Sequence, residues 1–123
     1  MGNSIDTPLQ QLEAIIAGGP NDKSRRQFVR RQLAKTDVYA LGRAEGDETN
    51  VLHISVDRNG QDREALPVFT RPDFVILAQA SNSAWDSLQV ILVSGRDLIQ
   101  LEDPSVTILI NPSTELEFEL PLR

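Results

Sequence analysis

Apolar positions near the start of the chain recur at the three- and four-residue spacing of a helix, which predicts a first helix. Thr7 can cap it, Pro8 suits the first turn and Gln10 completes a capping box. The Gly18-Gly19-Pro20 run ends it. The apolar stripe of this helix consists of Leu9, Leu12, Ile15 and Ile16.

A second helix is predicted directly after this turn. It begins at Asn21 or Asp22, where Asn21 is a good cap, and extends to about Lys35. Because the connection is short, the two helices should form a hairpin. The residues expected on its buried side are Phe28, Val29 and Leu33.

Apolar runs and alternating stretches in the rest of the chain predict six strands. The polar segment 42–50, which contains Gly46-Asp47, is predicted to be a turn or loop. Two short helices, capped by Thr70 and Ser94, are predicted between strands. The fold class that follows is α+β, with an N-terminal helical hairpin and then a mixed, mainly antiparallel sheet of about five or six strands covered by short helices. The predicted strands are residues 38–41, 51–57, 66–69, 88–93, 106–110 and 116–120.

No linker or low-complexity tract divides the chain, so residues 7–123 are predicted to be a single domain after a flexible lead-in at residues 1–6. No run approaches the roughly 20 apolar residues of a membrane span. The chain lacks cysteine and a secretory signal pattern. We therefore expect a cytoplasmic protein that does not contact membrane.

The inventory of reactive side chains argues against enzyme activity. With one histidine and no cysteine, the chain has no zinc-type cluster and no nucleophilic Cys–His pair. No phosphate-binding loop is present either. His53 reads as a surface residue that could pair with Asp57, and three glutamates at 115, 117 and 119 read as a solvated row on one strand face. We expect no cofactor, no metal and no catalytic residues.

Charge is distributed unevenly along the chain, whose formal net charge is −6. Residues 23–35, the basic segment, hold six of the 12 basic residues and no acid. This pattern fits a solvated face that balances an acidic body. It also fits a surface for an acidic protein partner or for self-association, with Arg26 and Arg30 as neighbouring contacts. Nucleic acid is not expected, because a nucleic-acid surface needs aromatic or amide residues among the basic ones. The segment offers only Gln27, Phe28 and Gln32, and Phe28 is expected in the core.

Two predicted helix starts carry an arginine, Arg71 and Arg96, and a helix N-terminus beside a guanidinium can bind an anion. This predicts, as an alternative function, a small-anion or metabolite-binding domain. The competing interpretation is structural. In it, Thr70 and Ser94 cap the helices, and Asp73 and Asp97 supply the favourable negative charge.

Four stretches together resemble the N-terminal domain of the SseB family, bacterial proteins named for enhanced serine sensitivity. The phrase Ala65-Leu66-Pro67-Val68-Phe69-Thr70 is the most specific of them. The chain departs from the family pattern at Arg71, where Ser is usual, and at Ser113-Thr114, where Gly is usual. The other three stretches are Pro8–Ala17, Phe28-Val29-Arg30-Arg31-Gln32-Leu33 running into Asp37-Val38-Tyr39-Ala40, and Leu109-Ile110-Asn111-Pro112-Ser113.

The resemblance implies an α/β fold and a non-catalytic role, and it brings no catalytic residues. The leading hypothesis is a protein-interaction or regulatory module. Its surface would be the basic segment or the loops near Arg71 and Asn111. Residues 66–70 have two interpretations. In the first, the segment is architectural, and Pro67 keeps the strand short or places it at a sheet edge. In the second, the segment borders a surface groove.

Overall fold

The computed structural model describes residues 7–122, with Arg58 described by its backbone alone; the lead-in predicted for residues 1–6 lies outside this range. Both helices of the predicted hairpin are present, and the α+β class is confirmed. The helices are α1 (Pro8–Ala17), α2 (Lys23–Leu33), α3 (Pro72–Ser81) and α4 (Gly95–Leu101). The strands are β1 (Asp37–Glu45), β2 (Glu48–Val51), β3 (Ile54–Arg58), β4 (Gln61–Phe69), β5 (Gln89–Ser94), β6 (Thr107–Ile110) and β7 (Phe118–Pro121).

The described residues form one mixed sheet of seven strands, where five or six were predicted. Its main path runs β2-β1-β4-β6-β7, and β3 pairs with β4 while β5 pairs with β1. Only the β4–β6 pair is parallel among these pairings. The sheet is therefore mainly antiparallel, as expected from the short connections between most strands.

The predicted turn or loop over residues 42–50 is present only as a turn at Gly46-Asp47, and the rest of the segment is strand. Strand β1 continues to Glu45, turns at Gly46, whose φ is +63°, and returns as β2 paired residue by residue with it. The predicted strand 51–57 is broken at Leu52-His53, where the chain passes from β1 to β4. Both strands of this hairpin are exposed and polar at residues 43–50. The alternation of apolar and polar residues that predicts a strand is therefore missing there.

Helices cover both faces of the sheet, and alternate strand residues supply two cores. On one face, α1, α2 and α4 pack on a large core that includes Val38 and Ala40 of β1. On the other face, α3 packs on a smaller core formed by Leu41, Phe69 and Val75. Trp85 also packs against the smaller core. The two-residue periodicity of β1 thus sends its side chains to both cores.

Strand β4 is an interior strand of nine residues, so the expectation that Pro67 marks a short or edge strand is wrong. The carbonyl of Val68 accepts from Asn111 N at 2.8 Å, on the β6 side. Because the backbone groups of successive strand residues point to opposite sides, those of Pro67 point away from β6, toward β1 and β3. There β3 pairing ends at Ala65 and β1 pairing begins at Val68. A proline is tolerated because its missing N–H falls in the gap between two partner strands.

The start and the buried face of α2 differ from the prediction. Asp22, not Asn21, caps the helix, since its carboxylate accepts from Arg25 N at 2.8 Å. Val29 and Leu33 are fully buried, but Phe28 is 51% exposed. The guanidinium of Arg31 lies 5.7 Å from the centre of the Phe28 ring. The expected burial of Phe28 is therefore wrong.

The predicted N-cap is correct for α4 and wrong for α3. Ser94 caps α4 by accepting from Asp97 N, as predicted. Arg71 rather than Thr70 is the N-cap of α3, and it makes no side-chain capping bond. The predicted last strand is also shorter, since β7 begins at Phe118, and the row of three glutamates does not lie on one strand face.

Candidate functional site

The parallel pair β4 and β6 brings two sequence-predicted residues to the same sheet edge. Strand β4 ends at Phe69 and β6 ends at Ile110, so Thr70-Arg71 and Asn111-Pro112 leave the sheet side by side. Crevices outside the carboxyl ends of parallel strands are common ligand sites in α/β proteins. We call the cluster formed there by Glu13, Thr70, Arg71 and Asn111 the junction.

Asn111 ties the two strand ends together from a fully buried position. Its Oδ1 accepts from Thr70 N at 2.9 Å, and its Nδ2 donates to Thr70 Oγ1 at 3.0 Å. Its backbone has a φ of +51°, a left-handed conformation that Asn adopts more readily than most residues. Its carbonyl accepts from Thr114 Oγ1 and Thr114 N. These contacts make Asn111 a structural residue of the turn.

Glu13 of α1 completes the junction through Arg71. The carboxylate accepts from Arg71 Nε at 2.8 Å and Nη2 at 3.2 Å, a bidentate pair, and from Thr70 Oγ1 at 2.7 Å. Burial by itself would raise the pKa of Glu13. The hydrogen bonds from Arg71 and Thr70 and the charge of Arg71 outweigh burial and leave the pKa below its ordinary value of 4.5. The side chain of Glu13 is 15% exposed.

Of the two arginines predicted to attract an anion, Arg71 is engaged in other contacts. The guanidinium of Arg71 is paired with Glu13 and stacks on Phe74 at 5.1 Å, and the pairing raises the pKa of Arg71. Arg96 is exposed on α4, whose first turn is already served by Ser94 and Asp97. Both helix starts thus have an acceptor or an acid beside them, and neither presents an open anion-binding cradle.

A surface groove of about 270 Å³ lies beside the junction, as one interpretation of residues 66–70 proposed. Phe74 and Trp85 are partly buried in its lining, while Leu77 is 61% exposed. The groove lies between α3 and the turn after β6. Its lining residues are Phe74, Leu77, Ala78, Ser81, Asn82, Trp85, Pro112, Ser113 and Thr114.

Three arginines of the basic segment hold backbone carbonyls. Arg25 donates to the carbonyls of Ile15 and Gly18, both at 3.0 Å, and so satisfies the C-terminus of α1. Arg26 donates to the Asn21 carbonyl and side chain. Arg30 donates at 2.9 Å to the carbonyl of Leu122, just beyond β7. Arg26 and Arg30 therefore fix α2 against its surroundings and lie apart from the junction.

The outward side of the basic segment carries the exposed cations. Lys23, Gln27 and Arg31 follow one another at four-residue spacing, which places them on one face of α2. Phe28 lies beside Arg31 on this side, and Lys35 follows the helix; all five residues are exposed. We call them the basic strip: Lys23, Gln27, Phe28, Arg31 and Lys35.

The partner of His53 is Glu102, the C-cap residue of α4, where Asp57 was the predicted partner. Its Nε2 lies 2.5 Å from Glu102 Oε1, and its Nδ1 lies 3.1 Å from the Val51 carbonyl. Within residues 7–122, no group of three or more His, Cys, Asp or Glu side chains could hold a metal ion. The search for membrane spans over the described residues finds no helix that is both long and apolar enough.

Sequence reasoning identified two of the four junction residues, Arg71 and Asn111, and associated Thr70 with a different role. It missed Glu13. The available signal was that Glu13 is the one charged residue in α1, on a helix whose other residues are apolar or amides. A single carboxylate in such a helix needs a cation or hydrogen-bond donors wherever it packs.

The fold and the junction define a small α+β domain in which a mixed sheet is covered by helices on both faces and fastened at the ends of its parallel strands. The family model described as the SseB protein N-terminal domain matches residues 9–122. The chain therefore belongs to the SseB family, as the resemblance indicated. No significant match was found among curated proteins or solved structures.

Proposed function

We propose that this SseB-family domain is a non-catalytic protein-interaction module of the cytoplasm that binds an acidic protein partner through the basic strip. The observation that carries the proposal is Phe28. It is an aromatic side chain 51% exposed on a two-helix hairpin, flanked by Arg31 and with no acid on its helix. Aromatic and arginine side chains are the types enriched among residues that dominate binding energy.

The structure of α2 favours a rigid binding surface. Arg25, Arg26 and Arg30 bond to carbonyls of α1, the α1–α2 turn and the β7 end, so the helix is held on several sides. A pre-ordered surface loses less conformational entropy on association. The inward arginines therefore support the strip while the outward cations remain exposed to a partner.

The charge distribution supports an acidic protein as the partner. The chain as a whole carries −6, so an acidic partner is attracted at the basic strip and repelled elsewhere, which orients the encounter. A nucleic acid would extend beyond the strip, and its phosphates would be repelled by the acidic remainder of the protein. One exposed aromatic also provides little stacking surface for successive bases.

The test is affinity capture from the native organism with three variants. F28A and the double variant K23E/R31E are expected to lose the captured acidic partner, and binding of the purified partner should weaken at least tenfold. R43E is the matched control, because it reverses an exposed arginine on β1. It should retain the partner. Circular dichroism should show that all three variants are folded.

Equal capture by the wild type and both strip variants would contradict the proposal. So would tight, salt-sensitive binding of oligonucleotides to the wild type that K23E/R31E abolishes, because that result assigns the strip to phosphate contacts.

A further inference from the structure

Strand β5 is an open edge of the sheet. Among residues 7–122 it pairs only with β1. Its sequence, Gln89–Ser94, contains no charge, proline or glycine, the devices by which many edge strands discourage pairing. Val90 and Leu92 are 46% and 59% exposed on it. Such an edge is a template for a further strand.

The segments at both ends of β5 fold inward and leave this edge uncovered. After the strand, Gly95 N donates to the Thr36 carbonyl at 2.8 Å, which draws α4 against the end of α2. Before the strand, Trp85 and Leu88 pack against the smaller core. Among the described residues, no strand pairs with the outer flank of β5.

We propose that two copies of the chain associate by antiparallel pairing of β5 with β5, with Ile91 on the two-fold axis. Each copy carries −6, so two copies repel one another except where the contact surface is uncharged, and β5 is such a surface. Opposed residues of an antiparallel pair share a sheet face. In this register Val90 of one copy therefore opposes Leu92 of the other, and each apolar side chain covers part of the exposed surface of its neighbour.

The antiparallel orientation also suits the charges at the strand ends. Asp86 precedes β5 and Arg96 follows it, so antiparallel pairing brings Asp86 of one copy to the end that carries Arg96 of the other. Asp97, next to Arg96, lies in the first turn of α4, where a negative charge suits the helix dipole. Placing Leu92 on the axis would instead oppose Val90 with Ser94.

Sedimentation velocity over a concentration series tests the association. The wild type is expected to shift from monomer to dimer in the micromolar range, because a six-residue edge buries less than a standard interface. V90K and L92K should stay monomeric. I76K is the matched control, since Ile76 is 63% exposed on α3, and it should dimerise as the wild type does. A wild type that stays monomeric at 0.5 mM overturns the proposal, as does equal loss of dimer in I76K.

Disulfide formation tests the register, because the chain has no cysteine of its own. Opposed Cα atoms of an antiparallel pair lie about 4.5–5.5 Å apart, within the range that a disulfide spans. I91C should give a covalent dimer under mild oxidation, and I76C should not. Faster cross-linking of L92C than of I91C contradicts the proposed axis. F28A should dimerise normally, which separates this interface from the basic strip.

Discussion

Replacing Asn111 tests the structural reading of the junction most directly. Its side chain is the acceptor for Thr70 N, a donor in a residue that is 3% exposed. In N111G the backbone keeps its left-handed conformation, but this donor loses its partner. A buried unmet donor costs about 1–3 kcal/mol, so N111G should unfold more easily by roughly that amount.

N111A should be less stable than N111G. The left-handed conformation costs an alanine about 1–2 kcal/mol. Replacing glycine by alanine recovers about 0.4–1 kcal/mol through the entropy of the unfolded chain. Taken at the middle of both ranges, the difference leaves N111A less stable than N111G by about 0.8 kcal/mol.

Asn59 provides the matched control, because it is exposed in a turn with a φ of +57°. N59G and N59A should differ from one another by about as much as N111G and N111A do, since the backbone conformation is similar. N59G should stay within about 0.5 kcal/mol of the wild type, as surface substitutions usually do.

Urea-induced unfolding followed by the fluorescence of Trp85, the single tryptophan, measures all four variants. An N111G variant as stable as N59G would refute the assignment of the buried amide as a fastener of the two strand ends. Equal stability of N111A and N111G, with N59A below N59G, would refute the left-handed conformation at position 111.

Three further predictions follow from the same contacts. E13Q should lower the melting temperature at neutral pH. Because folding lowers the pKa of Glu13, its carboxylate stabilises the protein above pH 4.5, and this stabilisation disappears as the pH falls through the folded-state pKa. The melting temperatures of wild type and E13Q should therefore converge in acid. R25A removes two hydrogen bonds from a charged donor to the C-terminus of α1 and should cost about 1.5–3 kcal/mol in urea unfolding, whereas Q27A, exposed on the same helix, should change stability little. Inorganic phosphate and nucleotides at millimolar concentration should not raise the melting temperature, because Arg71 is already paired; a phosphate-induced increase that R71Q abolishes would instead support anion binding.

Local rules were sufficient where a residue acts on its own neighbours in the chain. The capping box at Thr7 and Gln10 and the Ser94 cap are contacts within one helical turn, and the structure contains both. The same rules misassigned Thr70, because its hydroxyl meets Glu13 and Asn111, which lie far away in the sequence. Spacing along the chain carries no information about such partners.

Burial could be predicted only where periodicity leaves one choice. Leu12 and Ile16, at four-residue spacing, are both buried. On α2, Phe28 and Val29 compete for the inward position, and packing against α1 and the sheet favours Val29. Pro67 was misjudged for a related reason. Whether a missing N–H is costly depends on which strand lies opposite, and the pairing of β3 and β1 leaves a gap there.

The sequence alone determined the helical hairpin, the α+β class and the SseB family, because helical periodicity, turn residues and short phrases are all properties of neighbouring positions. It also determined that the basic residues concentrate in one segment. Only the tertiary structure decided which of those cations are exposed. Arg26 and Arg30 meet carbonyls supplied by other segments, while Lys23 and Arg31 face water. It likewise decided that β5 is an edge among the strands of residues 7–122, since the neighbours of a strand are set only when the whole sheet assembles.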